Sequence, residues 1–427
     1  MLAKVKKLAA TDLVKVSSLN AVSVFIKMIA SFISIKVVAS NIGPRGIALL
    51  GQLNNFSAIL LSISTGGINS GVTRYVAEHK AEPSKAAVFV RTGFWITVAL
   101  SLVTGIILIL GAGYFSTLIL KDVSYTSIFI VFGFTIIMYA LNTYLLSVIN
   151  GRKEFRLYVI VNITSSICGL IFSVILAIQF GTYGALIAAV TFQSVVFLLT
   201  LLILARKEWF TWTLFTGRYS KDAALKLGHY SVMELVSAAT VPVSQLILRD
   251  YIVGHEDIVN AGLWTAMNQV SGMYLLVVTA SLGVYFLPRM AELKTQRELR
   301  TEIVHTYKII LPALFVMLAM IFLFRNTIMH LVFSSKFEGM QDLFLYQLIG
   351  DFFKIAGWIL ACQLVAKAMT RTYIITEIGN RAFFVGVGIL FVNNYGTIGA
   401  TIAYAIVCFL YFLVMVFIFR KMLFSRQ

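Results

Sequence analysis

The sequence predicts an all-α polytopic membrane protein: twelve transmembrane helices in two six-helix lobes related by a parallel internal repeat, with both termini cytoplasmic. Three observations carry this. The 427 residues are 59% hydrophobic and 12% charged, with mean hydropathy +0.90; membrane helices explain that balance and a soluble domain does not. Apolar segments of spanning length recur along the whole chain, separated by polar breaks. The chain also matches itself at a shift of 214 or 215 residues.

The apolar segments fall near 13–39, 47–77, 87–112, 125–149, 158–179, 184–205, 224–250, 259–287, 303–324, 341–367, 372–392 and 398–419. All are too long for strands and lack alternation, so each reads as a helix. At ~1.5 Å per residue, twenty-odd residues cover the ~30 Å hydrocarbon core. Lys4, Lys6 and Lys7 ahead of the first segment resemble a signal-peptide n-region. The apolar run that follows is too long and lacks a small-residue cleavage site, so it reads as an uncleaved first span.

Basic residues set the expected orientation. With the N-terminus inside, 26 of the 35 lysines and arginines fall on inner segments and five (Arg45, Lys121, Arg249, Arg325, Lys336) on outer ends. That asymmetry places both termini in the cytoplasm. It also accounts for most of the net charge of +17 without nucleic acid as a partner.

The repeat aligns corresponding helix ends. Gly181-Thr-Tyr-Gly-Ala185 recurs as Gly396-Thr-Ile-Gly-Ala400, Arg206-Lys207 as Arg420-Lys421, Arg156-Leu-Tyr158 as Arg371-Thr-Tyr373, and Ala77-Glu78 as Ala291-Glu292. Asn54 corresponds to Asn268 and Thr65 to Thr279. Two halves of six helices share one topology, which implies an axis along the membrane normal and a cavity between lobes. The expected lobes are 1–205 and 223–427. Between them, 206–222 reads as a cytoplasmic linker at the interface, with Trp209, Phe210, Trp212, Phe215 and Tyr219 among basic residues. The charged stretch Ala291–His305 reads as an extension of the ninth helix.

Charges inside spans are the candidate functional residues. Lys27 lies near the middle of the first segment and Lys36 towards its far end; a lysine at mid-depth costs roughly 2.5–3.5 kcal/mol on insertion scales and turns to a protein or water-filled interior. Asn20, Ser23, Lys27, Ser31 and Ser34 form one polar stripe, and Lys36 lies on another side. Pairing for helix packing or snorkelling to the interface is the structural reading for both. On the seventh segment Ser231, Glu234, Gln245 and Arg249 share a face, with Pro242 as a kink. By the repeat register, Arg249 and Asp250 lie opposite Ile35 and Lys36 at one outer cavity mouth. Gln347, Asp351, Lys354 and Trp358 share a face of the tenth segment.

Three uses compete for these groups: anion binding by Lys27, Lys36, Arg249 and Lys354; ion coupling or gating by Asp351, Glu377, Glu234 and Asp250; and structural pairing of Asp351 with Lys354 and Glu377 with Arg381. Asn54, Asn55, Asn69, Asn268 and Gln269 are candidate sugar contacts, with interhelical hydrogen bonding the competing role. Gly66-Gly67 and Gly71 permit close packing or a bend.

What is missing narrows the function. There is no GxxxxGK[ST] loop. The five histidines and three cysteines lie scattered, without metal or disulfide spacing. No nucleophile–base or paired-carboxylate arrangement points to an enzyme, and no cofactor is implied.

Several stretches resemble the Wzx-type flippases of the polysaccharide-transport branch of the multidrug/oligosaccharidyl-lipid/polysaccharide exporter superfamily. They are Asn41-Ile-Gly-Pro-Arg-Gly46, Asn69-Ser-Gly-Val-Thr-Arg-Tyr-Val-Ala-Glu78 and Tyr285-Phe-Leu-Pro-Arg-Met290. The most specific is Ser335-Lys-Phe through Asp342-Leu-Phe to Gly350-Asp-Phe-Phe-Lys354 and Ala366-Lys-Ala368. Within that family the pattern is most similar to flippases of enterobacterial common antigen and O-antigen intermediates. The resemblance implies translocation of an undecaprenyl-diphosphate-linked oligosaccharide across the bacterial inner membrane by alternating access. The expected partners are that lipid-linked glycan and membrane lipids, with a polysaccharide polymerase and a chain-length regulator as further candidates. Lys27, Lys36, Arg249, Asp351, Lys354 and Glu377 fall on charged positions of the family pattern; Glu234 departs from it. The alternative is a cation-coupled multidrug antiporter of the same superfamily, which calls for an unpaired carboxylate in a lobe cavity and little positive charge in the first half.

Overall fold

The structure is a computed structural model that describes residues 12–424 apart from Ala81, Arg218, Lys294 and Ala368. The N-terminal Lys4, Lys6 and Lys7 and the side chain of Asn20 lie outside the described residues. Among the described residues the chain is helical throughout, without a strand, and eight helices are long and apolar enough to cross a membrane.

The first, α1 (Asp12–Ser64), runs for 53 residues, about twice what one crossing needs. It breaks at Gly43, whose φ of 65° is a left-handed conformation that side chains resist. Pro44 follows and removes a backbone donor. Helix α6 (Phe155–Leu204) breaks in the same way at Gly181, with φ 58° and ψ −136°. A third such residue, Gly396 (φ 61°, ψ −150°), separates α12 (Thr370–Tyr395) from α13 (Thr397–Ile418).

The chain after Gly181 and after Gly396 returns on itself alike. A Cβ on Gly184 would lie 1.9 Å from the carbonyl oxygen of Leu176, and one on Gly399 would lie 2.1 Å from that of Phe391. Each pair is separated from its counterpart by the repeat shift read in the sequence.

The second predicted segment, 47–77, is not one helix. It stops at Ser64, turns through Gly66 and Gly67, both at positive φ, and resumes as the short α2 (Asn69–Glu78). The seventh, α7 (Lys221–His255), bends by 46° between His229 and Glu234, ahead of Pro242 where the kink was expected. Helix α8 (Ile258–Glu292) and α9 (Gln296–Leu323) are separated by a break, so Ala291–His305 is not one extension. Thr295 and Glu298 form a capping box there, which satisfies otherwise orphaned donors at the start of α9.

Two compact units result. The first takes the described residues up to Asn41 with Leu49–Val243; the second takes Ile42–Ala48 with Ser244 onward. The boundary between these units falls within α7, after Val243. Its cause is visible in the packing of 206–227. Phe215, Ala223 and Leu227 are buried in one core with Val72, Phe89, Tyr144 and Leu157. Arg91 Nη2 donates to the Thr213 carbonyl at 2.8 Å, and the Arg152 guanidinium sits 4.2 Å from the Trp209 ring centroid. In the second unit, the Pro44 carbonyl occupies the space a Cβ on Gly262 would need (2.0 Å), which ties 42–48 to α8.

Within the first unit, α5 (Thr126–Gly151) and the later part of α6 are joined by side-chain hydrogen bonds. Thr200 donates to Asn142 at 2.9 Å, and Asn142 donates to Gln193 at 3.1 Å. Paired polar groups of this kind hold helices together where lipid offers no partner. Large apolar side chains lie outside, as in Val22, Phe25, Ile29 and Ile33 of α1.

Candidate functional site

The most concentrated set of candidate side chains in one unit lies on α11 (Phe344–Ala366), α12 and α13. Asp351 of α11 is fully buried. Its carboxylate accepts from Ser271 Oγ at 2.7 Å, from the Tyr274 hydroxyl, and from the Tyr404 hydroxyl at 2.7 Å. Three donors offset much of the cost of burying a carboxylate away from water.

Lys354 follows one turn later and is exposed, its ammonium 5.8 Å from the centroid of the Tyr404 ring. Among the described residues Asp351 and Lys354 form no ion pair within 4 Å. The local i,i+3 pairing considered from sequence gives way to hydroxyl donors from α8 and α13. By contrast, Glu377 and Arg381 of α12 do pair, at 3.3 Å, with 16% and 23% side-chain exposure.

Lys354, Glu377 and Arg381 line one cavity of about 100 Å³, together with Trp358, Asn380 and Tyr404. The cavity is large enough for a few waters or one small polar group. It can hold an anion against the Lys354 ammonium, while Arg381 is engaged by Glu377 and Asp351 by hydroxyls.

Arg249 lies elsewhere in the second unit and is enclosed by protein, at 2% exposure. Its Nε donates to Thr265 Oγ1 at 2.8 Å, and its guanidinium faces the Trp264 ring at 5.5 Å. This is a buried hydrogen-bonded cation rather than one lining an open mouth. Its neighbour Asp250 is exposed.

In the first unit, Lys27 and Lys36 are both exposed on α1. At ~100° per residue, Lys36 falls on the side of Phe25, Ile29 and Ile33, and Lys27 on the opposite side with Ser31 and Ser34. Ser23 of the same stripe is buried. Glu234 accepts from the Ser70 backbone N–H at 2.9 Å, at the start of α2. A carboxylate there satisfies a free helix N–H and the helix dipole.

The amides divide. Asn54 is exposed, Asn55 is half-buried, and Asn268 donates to the Trp264 carbonyl at 2.9 Å. Asn69 Oδ1 and Gln269 Oε1 are buried without a protein donor among the described residues. Ser271, Tyr274 and Tyr404 were not singled out in the sequence. Tyr404 carried a signal: Gly350 and Gly357 on α11 match Tyr404 and Tyr411 on α13 at the same spacing of seven. Among the described residues no cluster of His, Cys, Asp and Glu is placed to hold a metal ion.

Residues 13–294 match the family model described as polysaccharide biosynthesis protein. The chain belongs to this family. Over 402 residues it is 25% identical to the lipid III flippase of Escherichia coli (strain K12) and, to the same extent, to that of Shigella flexneri. Each alignment covers 94% of the chain and 96% of the relative. Among solved structures it resembles an inward-facing multidrug resistance MATE family transporter of the MOP superfamily, with TM-score 0.80, 13% identity, and 94% and 98% of the two chains covered. A MOP superfamily transporter from Pyrococcus furiosus, titled for the reverse polarity of its binding pocket, gives TM-score 0.63 at 14% identity over 97% and 98%. These two likenesses give the fold alone: this polysaccharide biosynthesis family member is a multi-pass membrane protein folded like these transporters.

Proposed function

We propose that the protein flips undecaprenyl-diphosphate-linked oligosaccharide repeat units, O-antigen or a related surface glycan, from the cytoplasmic to the periplasmic leaflet. The observation that carries this reading is the relationship to lipid III flippases over nearly the full length of both chains. Twelve spans, cytoplasmic termini and two repeated lobes are part of it. The matching returns after Gly181 and Gly396 support the duplication, and the lengths of α1 and α6 with their breaks at Gly43 and Gly181 support two crossings for each.

The chemistry is binding and release without bond making. A diphosphate crossing a low-dielectric interior needs cations, and Lys27 and Lys354 are the exposed intramembrane lysines away from the apolar side of their helices. Each is assigned, within its own unit, to contact with the diphosphate during transport, and Asn54 and Asn69 of the first unit and Gln269 of the second to contacts with sugar hydroxyls. Alternating access moves the head across while the tail stays in lipid. The multidrug transporter neighbours are 13–16% identical and favour no drug substrate here.

The test is surface glycan in a strain lacking the flippase for this chain's own repeat unit, complemented with wild type or Lys27→Ala at native expression. Rescue by wild type and failure of the alanine variant, at equal membrane levels, supports the reading. Failure of the wild type contradicts it.

A further inference from the structure

Two apolar grooves run along the second unit, and they differ at their ends. One, about 420 Å³, lies between α9 and α11 and is lined by Phe315, Ala319 and Phe352 among others, without a charged residue. The other, about 650 Å³, lies between α12 and α13 and is lined by Ile375, Phe383, Leu410, Val414 and Phe417. Only this second groove is continuous with the charged cavity: Asn380, Val407 and Tyr411 line both spaces. From the groove to the cavity the lining passes from aliphatic and aromatic walls, through the shared Asn380 and Tyr411, to Lys354.

That sequence of environments fits an amphiphile with one apolar tail and one anionic head. We propose that the α12–α13 groove holds the isoprenoid tail of a polyprenyl diphosphate whose head lies at Lys354. The inference rests on the flipping reading and adds the path of the tail. One groove leading to one cation accommodates one chain per head, whereas a bilayer phospholipid carries two chains that need a second channel. A branched, unsaturated tail also suits walls mixing Ile375, Val414 and Leu410 with Phe383 and Phe417, through close apolar contact. The groove contains a point where its floor can be raised: a Cβ on Gly379 meets no atom within 4 Å. A side chain there therefore starts in open space within the groove, and replacing a mid-helix glycine favours the helix.

The experiment measures binding of undecaprenyl diphosphate to the purified full-length protein by native mass spectrometry, for wild type, Gly379→Trp and Ala319→Trp. Unfolding temperatures verify that each variant is folded. We expect Ala319→Trp, which fills the groove without a charged end, to bind as wild type does, and Gly379→Trp to bind at least about tenfold more weakly. A benzophenone amino acid in place of Phe383 should crosslink to the tail in otherwise native protein. Gly379→Trp binding as wild type, absence of that crosslink, or equal displacement by phosphatidylglycerol would overturn the proposal while leaving flipping intact. If wild type binds no undecaprenyl diphosphate, the functional reading fails and the tail path with it.

Discussion

Gly350 of α11 leaves the space that the Tyr404 ring of α13 fills. A Cβ on Gly350 would lie 2.4 Å from Tyr404 Cδ1, and it is this approach that brings the Tyr404 hydroxyl to Asp351 at 2.7 Å. Two turns on, Gly357 meets Tyr411 in the same manner, with 3.1 Å from its Cβ position to Tyr411 Cδ1. Small residues at heptad spacing let these helices cross closely.

Gly350→Ala should therefore push Tyr404 away from Asp351. Overpacking costs typically about 1–3 kcal/mol, so a lowered unfolding temperature in detergent is the expected result. Tyr404→Phe removes one donor without the clash and should cost roughly 1–3 kcal/mol, the penalty for a buried acceptor left short of a partner. Equal stability of both variants with wild type would contradict this packing.

Exchanging Asp351 and Lys354 should abolish export. The exchange puts an ammonium among three hydroxyls that now donate to a carboxylate, and leaves a carboxylate in the cavity where Lys354 stands. A pair that only neutralised itself would survive the exchange. The corresponding exchange of Glu377 and Arg381, which do pair on one helix face, should be tolerated better, as judged by surface glycan at equal protein levels.

Glu234 distinguishes capping from ion coupling. Gln keeps an oxygen that accepts from Ser70 N–H, so Glu234→Gln should retain export, whereas Glu234→Ala should lower stability by about 0.5–2 kcal/mol, as other helix N-terminal acceptors do. A carboxylate that takes up an ion during turnover would give the opposite order, with the glutamine variant folded and inactive.

The two lysines of α1 should also separate. Lys36 shares its side with Phe25, Ile29 and Ile33, where a long side chain reaches the interface. Lys36→Gln should keep most export, and Lys27→Gln should lose it, measured as surface glycan in the complemented strain. Equal loss in both would place Lys36 in the substrate path.

What was readable in the sequence depended on range. Long apolar runs fix helices by their own composition, and the Glu377–Arg381 pair follows from spacing on one turn. The partners of Asp351 did not follow, because Ser271 and Tyr404 lie 80 and 53 residues away and only packing brings them together. Hydropathy also ran straight through Gly66–Gly67, since a turn at positive φ leaves an apolar average unchanged. The aromatic stretch 209–219 had the composition of an interfacial linker, yet Phe215 is buried in the core of the first unit. Composition alone does not separate an aromatic that faces lipid headgroups from one that docks on Phe89 and Tyr144.

The most direct test of the account is transbilayer movement itself. The purified protein is reconstituted into proteoliposomes loaded on one leaflet with its undecaprenyl-diphosphate-linked repeat unit, and an impermeant lectin or glycosidase reads appearance on the other. Flipping by this protein predicts exposure well above that of protein-free liposomes for wild type, and exposure at the protein-free level for Lys27→Ala and Lys354→Ala. Wild-type protein that is folded and inserted but exposes no more glycan than empty liposomes would contradict it.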